Sequence, residues 1–221
     1  MNVDKYRNVF IVGDIHGEIT KLEEALKRVS FDKQHDLLVS VGDLVDRGED
    51  SYKTLMSLVY EPWFTMVLGN HEELMINSIL DNNIQYQDCW MVNGGTWFAF
   101  LSEDEQREVK DVCQHLRDTF PYTLCLERNG KKILISHGDY PLDFYSKGVN
   151  LSPDRIIWNR DRINTYKSYG REQRIQDVDL AVFGHTPLRE PTRSGNCCWI
   201  DTGACFKKEN VLTLLNIDYC I

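Results

Sequence analysis

Short apolar runs that end in glycine set the strongest limit on how this chain can fold. Three of them lie in the first third of the sequence, at residues 9–12, 37–41 and 64–68. They are rich in β-branched residues and too short for helices, so they predict buried strands. Between them, apolar residues recur at helical spacing: Ile19, Leu22, Leu26 and Val29, then Leu55, Leu58 and Val59. This alternation predicts linked βαβ units with a parallel sheet.

A helix and a hairpin are predicted in the middle of the chain. Ser102 and Glu105 form a capping box ahead of an apolar stripe, which predicts a helix over roughly 103–117. Asn129-Gly130 is a strong hairpin signal because both residues accept the backbone angles of a tight turn. Paired strands are therefore expected on either side of it, at 122–127 and 131–136.

The remaining third predicts more strands around a long irregular segment. Strands are expected at 180–183, 198–201 and 211–217. The segment from Asp143 to Gln176 is polar, rich in arginine and weakly periodic, which is typical of functional loops with short helices. The sequence contains no internal repeat and 42% of its residues are hydrophobic, so we predict one catalytic domain over residues 1–221.

The composition limits which cellular compartment and which classes of partner are expected for this chain. A net charge of −9 gives no basic surface for a phosphate backbone, which argues against nucleic acid as a partner. The seven cysteines are odd in number and form no Cys-x-x-Cys pair, so a reducing compartment is expected. The amino-terminal residues lack the apolar run of a signal peptide, and no later stretch approaches a membrane span. We therefore expect a cytoplasmic protein with no membrane contact.

Residues able to bind metal ions stand beside the glycines that end the predicted strands. Because ligands collect at the carboxyl ends of strands in βα sheets, these residues are expected to converge on one rim. Their carboxylate, amide and imidazole groups form a mixed set that suits Mn, Fe or Zn. The predicted ligands of two ions are Asp14 and His16 for one, Asn70, His137 and His185 for the other, and Asp43 as the bridge. Taken alone, Asp14-Ile15-His16 is more typical of a helix cap beside a core histidine, and Gly69-Asn70-His71-Glu72 of a turn before a capped helix.

Three further residues complete a phosphoryl-transfer site. Two ions about 3.5–4 Å apart activate a shared water and clamp the attacking and leaving oxygens of an in-line displacement. Arg47 is predicted to bind phosphoryl oxygens, the alternative being a surface salt bridge to Asp46. His71 is free to protonate the leaving oxygen with Asp46 orienting it, the alternative being a structural histidine.

The motifs resemble those of the phosphoprotein phosphatase group of calcineurin-like metallophosphoesterases, most of all its phage lambda-type and enterobacterial members. The residues that carry the resemblance are Gly13-Asp14-Ile15-His16-Gly17, Gly42-Asp43-Leu44-Val45-Asp46-Arg47-Gly48, Gly69-Asn70-His71-Glu72, Ser136-His137-Gly138-Asp139, Ile157-Trp158-Asn159-Arg160, Phe183-Gly184-His185-Thr186-Pro187 and Ile200-Asp201-Thr202-Gly203-Ala204. They span nearly the whole chain.

This resemblance implies an α/β fold of the calcineurin-like type, with a central mixed β-sandwich flanked by helices. It implies two divalent ions, manganese first, and hydrolysis of phosphoserine and phosphothreonine in proteins, often with phosphotyrosine. It also implies that Arg160 binds phosphate, where the residues alone equally allow a salt bridge to Asp161. The carboxyl-terminal elements of eukaryotic members are missing, so regulatory subunits of their kind are not expected.

Two other functions compete with a protein phosphatase. Bacterial enzymes that hydrolyse diadenosine tetraphosphate symmetrically share these motifs, and the same metal chemistry would serve them. A phosphopeptide-binding module without turnover is the second alternative. It would predict the loss of a ligand, of Arg47 or of His71, and all of these are present.

Overall fold

A computed structural model describes residues 1–220 of the chain. The helices and strands of this part are, in order, β1 (Val9–Val12), α1 (Ile19–Arg28), β2 (Leu37–Ser40), α2 (Ser51–Leu58), β3 (Phe64–Met66), α3 (Asn70–Leu80), α4 (Ile84–Val92), α5 (Glu103–Thr119), β4 (Thr123–Arg128), β5 (Lys131–Ser136), α6 (Asp154–Ile157), α7 (Asp161–Tyr169), β6 (Leu180–Phe183), β7 (Thr192–Ser194), β8 (Cys197–Trp199) and β9 (Leu214–Asn216). Short 3₁₀ helices lie at Gly95–Phe100 and Ile217–Tyr219.

The first sheet has the order β3-β2-β1-β9. Strands β1, β2 and β3 are parallel, as the βαβ pattern predicts, and β9 pairs antiparallel with β1. The strands end earlier than the apolar runs at 37–41 and 64–68, because the chain turns at Gly42 and Gly69 towards the rim of the sheet. Strand β9 covers only three of the residues predicted at 211–217.

The second sheet has the order β4-β5-β6-β8-β7. Strands β4 and β5 form the predicted hairpin, with Arg128 opposite Lys131 across the turn. Asn129 and Gly130 have φ angles of 50° and 75°, the left-handed pair that a two-residue hairpin turn requires. Strand β6 then pairs in parallel with β5 and β8, so the sheet is mixed.

The two sheets face each other across an apolar core. Val9, Ile11 and Val39 of the first sheet pack with Ile133 and Val182 of the second, and all five are fully buried. Alternate residues of the same strands point to the opposite faces, as the pleat of a strand dictates.

Helices cover both outer faces. Phe10 and Leu38 of the first sheet pack with Leu22 of α1 and Leu116 of α5, and Phe183 of the second packs near Ile163 of α7. The α/β sandwich flanked by helices is therefore confirmed. The capping box of Ser102 and Glu105 at the start of α5 is confirmed as well. Within residues 1–220, every helix is too short or too polar to cross a membrane.

The carboxyl ends of β1, β2, β5 and β6 meet at one rim of the sandwich. Hydrogen bonds cross between these ends: the backbone N–H of Ile15 donates to Asp43 O at 3.0 Å, and that of Gly184 donates to His137 O at 2.8 Å. The loops that carry the predicted ligands are thus tied to one another by their own backbones.

Candidate metal centre

The six predicted ligands come together at this rim. Asp14 and His16 follow β1, Asp43 follows β2, Asn70 begins α3, and His137 and His185 follow β5 and β6. All six are buried, with at most 5% of their surface exposed. The convergence predicted from the glycine-terminated runs is therefore what the structure contains.

Several site residues have strained backbones. His16, Asp43, Asp46, Arg47 and His185 all have positive φ angles, between 46° and 73°. Non-glycine residues rarely adopt this region, and a residue held there costs of order 1–3 kcal/mol. Such strain is concentrated at functional sites, where the unfavourable backbone angles direct side chains towards a common point.

Two groups of side chains at the rim have the spacing of metal ligands. The first contains His16, Asp43 and His71, and the second contains Asp43, His137 and His185. Within each group the ligand atoms lie within 4.8 Å of one another. Asp43 belongs to both: its Oδ2 is 3.6 Å from His16 Nε2 and 3.2 Å from His137 Nε2. This position between the groups is the one that a bridging carboxylate needs.

Asn70 and Asp14 relate differently to these groups. Asn70 Oδ1 lies 2.9 Å from His137 Nε2, which places the amide with the second group as predicted. Asp14 lies outside both groups, and its carboxylate accepts the backbone N–H of His185 at 3.0 Å. Gly184 permits this approach, because a Cβ at that position would overlap the Asp14 carboxylate. The role of Asp14 as a ligand of the first ion stays a prediction.

Backbone carbonyls fix which ring nitrogen of two histidines is free. His16 Nδ1 lies 2.8 Å from Val45 O, and His137 Nδ1 lies 2.9 Å from Val41 O. A carbonyl only accepts, so Nδ1 carries the hydrogen and Nε2 keeps its lone pair. This tautomer and the carbonyl behind it are typical of metal-binding histidines.

The chemistry of the cluster fits divalent cations. His185 Nε2 is buried and has no hydrogen-bond partner among the described residues. Burial lowers the pKa of His16 to about 3 and that of His185 to about 2, so both rings are neutral and able to bind a metal. Burial, followed by the charges of Asp201 and Asp43, raises the pKa of Asp14 well above its usual range. Neutral imidazoles beside crowded carboxyl groups are a set that positive ions would stabilise.

His71 and Asp46 form a buried pair beside the two groups. His71 Nδ1 lies 2.5 Å from Asp46 Oδ2, and both residues are fully buried. Burial alone would lower the pKa of His71, but the charges of Asp43 and Asp46 outweigh it and raise the pKa. The other nitrogen, Nε2, has no hydrogen-bond partner within residues 1–220 and lies 3.9 Å from Asp43 Oδ2. The pair thus has the arrangement expected of a proton donor, although the same nitrogen is also within reach of the first group.

Arg47 and Arg160 line a cavity over these groups. The cavity has a volume of about 210 Å³ and also touches Asn93, Trp158 and Phe206. Arg47 Nη1 donates to His16 Nε2 at 2.8 Å, and Arg160 Nη2 donates to His185 O at 3.3 Å. Within residues 1–220 neither guanidinium pairs with a carboxylate, so the alternative salt bridges to Asp46 and Asp161 are not made. Both cations are available to an anion in the cavity.

Glu72 is a supporting residue to which sequence reasoning gave no role. Its carboxylate is fully buried and accepts three backbone N–H groups, from Asp43 at 2.8 Å, Leu44 at 2.7 Å and Gly69 at 3.0 Å. Burial and the charge of Asp43 raise the pKa of Glu72 to about 7. Glu72 makes one half of a capping box, since it accepts the N–H of Gly69 but glycine has no side chain to return the bond, and the sequence therefore lacks the usual Ser/Thr-x-x-Glu signal. Glu72 joins the Asp43 loop to the start of α3.

Comparison with known proteins decides the family. The profile for calcineurin-like phosphoesterases matches residues 7–218. The chain belongs to the calcineurin-like phosphoesterase family. Membership makes it a phosphoester hydrolase and implies divalent metal ions, which the two His and Asp groups at the rim fit.

Two relatives of this calcineurin-like phosphoesterase come from Salmonella typhimurium. Serine/threonine-protein phosphatase 1 is 36% identical over 215 residues, covering 96% of this chain and 93% of the relative. Serine/threonine-protein phosphatase 2 is 35% identical over 204 residues, covering 92% and 91%. The predicted resemblance to the phosphoprotein phosphatase group is confirmed.

A solved structure confirms the fold of this calcineurin-like phosphoesterase. The crystal structure of a protein described as a diadenosine tetraphosphatase has a TM-score of 0.65 to this chain and covers all of it, with 94% of the other chain matched. Sequence identity is 20%, so the likeness concerns the fold alone.

Proposed function

We propose that this chain is a dinuclear-metal phosphomonoesterase that removes phosphate from phosphoserine and phosphothreonine in proteins. The observation that carries the proposal is the position of Asp43 Oδ2 between two histidine groups, beside the His71–Asp46 pair. The two serine/threonine phosphatases matched over nearly their whole length support a protein as substrate.

Two divalent ions held by Asp14, His16, Asp43, Asn70, His137 and His185 would generate a nucleophile from water at neutral pH and polarise the phosphoryl oxygens. Manganese is the ion we propose first, because imidazole mixed with carboxylate suits it better than the harder magnesium. Phosphotyrosine is a further substrate class in this proposal. Phosphoproteins are the proposed partners, in the cytoplasm.

The chain's own residues supply the rest of the chemistry. Arg47 and Arg160 line the cavity as free cations and bind phosphoryl oxygens in both the ground and the transition state. The raised pKa of His71 favours the protonated ring, in which Nδ1–H donates to Asp46 and Nε2–H gives its proton to the departing serine or threonine oxygen. Asp46 keeps the ring in that orientation.

Substitution of His71 by asparagine tests the proton donor. A serine alkoxide is far more basic than p-nitrophenolate, so only the first needs a proton to leave. With a phosphoserine peptide, kcat should fall by about 10²–10⁴-fold, the range typical of general acid catalysis, and with p-nitrophenyl phosphate much less. His115→Asn is the matched control, because His115 binds the carbonyl of Val59 away from the site.

Metal content separates the possible roles of His71. If His71→Asn keeps two ions and loses equal activity on both substrates, His71 positions the phosphate or the nucleophile. If the variant loses an ion, His71 is a ligand of the first group.

The substrate class is tested by comparing a phosphoserine peptide with diadenosine tetraphosphate on the manganese-loaded enzyme. A larger kcat/KM on the peptide is expected. A clearly larger kcat/KM on diadenosine tetraphosphate would contradict the proposal and identify the chain as a hydrolase of that dinucleotide.

A further inference from the structure

The carboxylate of Asp46 receives two indole N–H groups in addition to His71. Trp90 Nε1 lies 3.0 Å from both of its oxygens, and Trp97 Nε1 lies 2.7 Å from Oδ1. Asp46 is fully buried and Trp90 is 1% exposed. Both indoles therefore hydrogen-bond the carboxylate that lies behind His71.

The segment that provides the indoles is built to reach this carboxylate. Trp90 lies near the end of α4 and Trp97 in the following 3₁₀ helix, joined through Gly94 and Gly95. Gly94 has a φ of 117°, and a Cβ there would lie 2.9 Å from the backbone nitrogen of Arg47. A Cβ at Gly95 would lie 2.5 Å from the Trp90 ring. Only a backbone without side chains fits between the two tryptophans and the Asp46 loop.

The two rings also support each other. They meet edge to face, with centroids 6.1 Å apart and planes at 87°. This geometry is favourable for aromatic pairs and holds both N–H groups on one target. None of the residues proposed to bind metal or phosphate lies in the segment. Its two indoles reach the site through Asp46, while Asn93 lines the cavity and Gly94 lies against Arg47.

We propose that Trp90 and Trp97 are positioning residues for the proton donor. They hold the carboxylate of Asp46 so that Oδ2 faces His71 Nδ1, and the imidazole then presents Nε2 to the leaving oxygen. This inference rests on the proposed role of His71 as general acid.

Neutral donors are better suited than a cation to hold the carboxylate of Asp46 in place. An ionised carboxylate has about four lone-pair sites, and donors on fixed rings stop it from rotating. An arginine would do the same but would cancel the charge that His71 needs. Indole N–H groups leave the net charge on the carboxylate, and in a buried site that charge acts strongly on its neighbour.

Substitution of Trp97 by phenylalanine removes one N–H while keeping an aromatic ring. On a phosphoserine peptide, kcat should fall about tenfold, which corresponds to about 1.4 kcal/mol and to one hydrogen bond with a charged group. On p-nitrophenyl phosphate, kcat should change less than about twofold, as should KM for both substrates, because binding of the phosphoryl group is untouched.

Trp63→Phe is the matched control. Trp63 Nε1 also donates to a carboxylate, that of Glu61 at 2.6 Å, but away from the site. Trp63→Phe should not change the ratio of kcat on the phosphoserine peptide to kcat on p-nitrophenyl phosphate. Equal losses on both substrates in Trp97→Phe would indicate a packing role and overturn the proposal.

A double-mutant cycle tests whether the indole acts through the carboxylate. In an Asp46→Asn background, adding Trp97→Phe should change kcat on the peptide by less than about twofold, because the group it positions is already altered. Independent losses that multiply would overturn the proposal.

A spectroscopic readout does not depend on turnover. The five tryptophans give five indole N–H signals in a ¹H–¹⁵N spectrum. In Asp46→Asn the signals of Trp90 and Trp97 should move while that of Trp63 stays, and unchanged Trp90 and Trp97 signals would overturn the proposal.

Comparison with His71→Asn separates this inference from the function on which it rests. If His71→Asn lowers kcat more on the peptide than on p-nitrophenyl phosphate and Trp97→Phe lowers both equally, only the positioning role is wrong. If His71→Asn itself lowers kcat equally on both substrates, the role of His71 as proton donor and the inference drawn from it are both wrong.

Discussion

Replacement of Glu72 by glutamine should weaken the fold and the metal centre together. One carboxylate oxygen of Glu72 accepts the N–H groups of Asp43 and Gly69, and the other accepts that of Leu44. A glutamine has only one carbonyl oxygen. If that oxygen faces Asp43 and Gly69, its NH₂ group opposes the Leu44 N–H, which is left without an acceptor.

The size of the effect follows from this count. A buried N–H without a partner costs about 1–3 kcal/mol, and above about pH 7, where Glu72 is ionised, the two remaining hydrogen bonds also lose their charged acceptor. The free energy of unfolding should therefore fall by about 3 kcal/mol. For a domain of this size, that corresponds to a decrease in Tm of about 6–12 °C. Because Glu72 holds the Asp43 loop, metal affinity should also fall about 10–100-fold.

Thermal unfolding of the metal-free protein and calorimetric titration with manganese measure the two effects separately. Glu105→Gln is the matched control, since Glu105 occupies the equivalent position at the start of α5 but is only partly buried, whereas Glu72 is fully buried. It should cost less than about 1 kcal/mol. A loss in Glu72→Gln no larger than in Glu105→Gln would refute the role of Glu72 in joining the two loops.

Asp43→Asn should lower metal occupancy at both sites, whereas His185→Asn should lower it at one; two ions retained in Asp43→Asn by elemental analysis would mean that Asp43 is not the bridge. Arg160→Ala should raise both KM and the inhibition constant of inorganic phosphate by about tenfold while also lowering kcat, with exposed Arg155→Ala as control. Unchanged phosphate inhibition in Arg160→Ala would remove its assigned role. Activity should depend on added divalent metal, manganese above magnesium, and full activity after exhaustive chelation would contradict a metal mechanism.

Local signals in the sequence predicted most of the fold. The turn at Asn129-Gly130 and the capping box of Ser102 with Glu105 depend on neighbours within four residues, and the structure contains both. The strand predicted at 211–217 is shorter, because the Val211 carbonyl accepts the hydroxyl of Thr202 and the chain enters a 3₁₀ helix at Ile217. Such contacts between distant segments leave no local pattern.

The difference between local sequence signals and contacts between distant segments also applies to the candidate metal centre. His16, Asp43, His137 and His185 were predicted to converge because parallel strands place their carboxyl ends on one edge. The contact of Trp97 with Asp46 has no comparable basis, since it depends on how the segment after α4 packs over the rim. Neither spacing nor composition distinguishes such an indole from an ordinary core residue.

The position of Asp43 between the two histidine groups has a consequence for folding. Asp43 follows a strand of the first sheet, while His137 and His185 follow strands of the second. An ion bound by these three residues would be a noncovalent cross-link between the sheets, closing a long stretch of chain that is open in the unfolded state. At a free ion concentration of 100 times Kd, such binding adds about 2.7 kcal/mol to the free energy of unfolding. The supply of metal ions would then determine the stability of the folded chain as well as its catalytic rate.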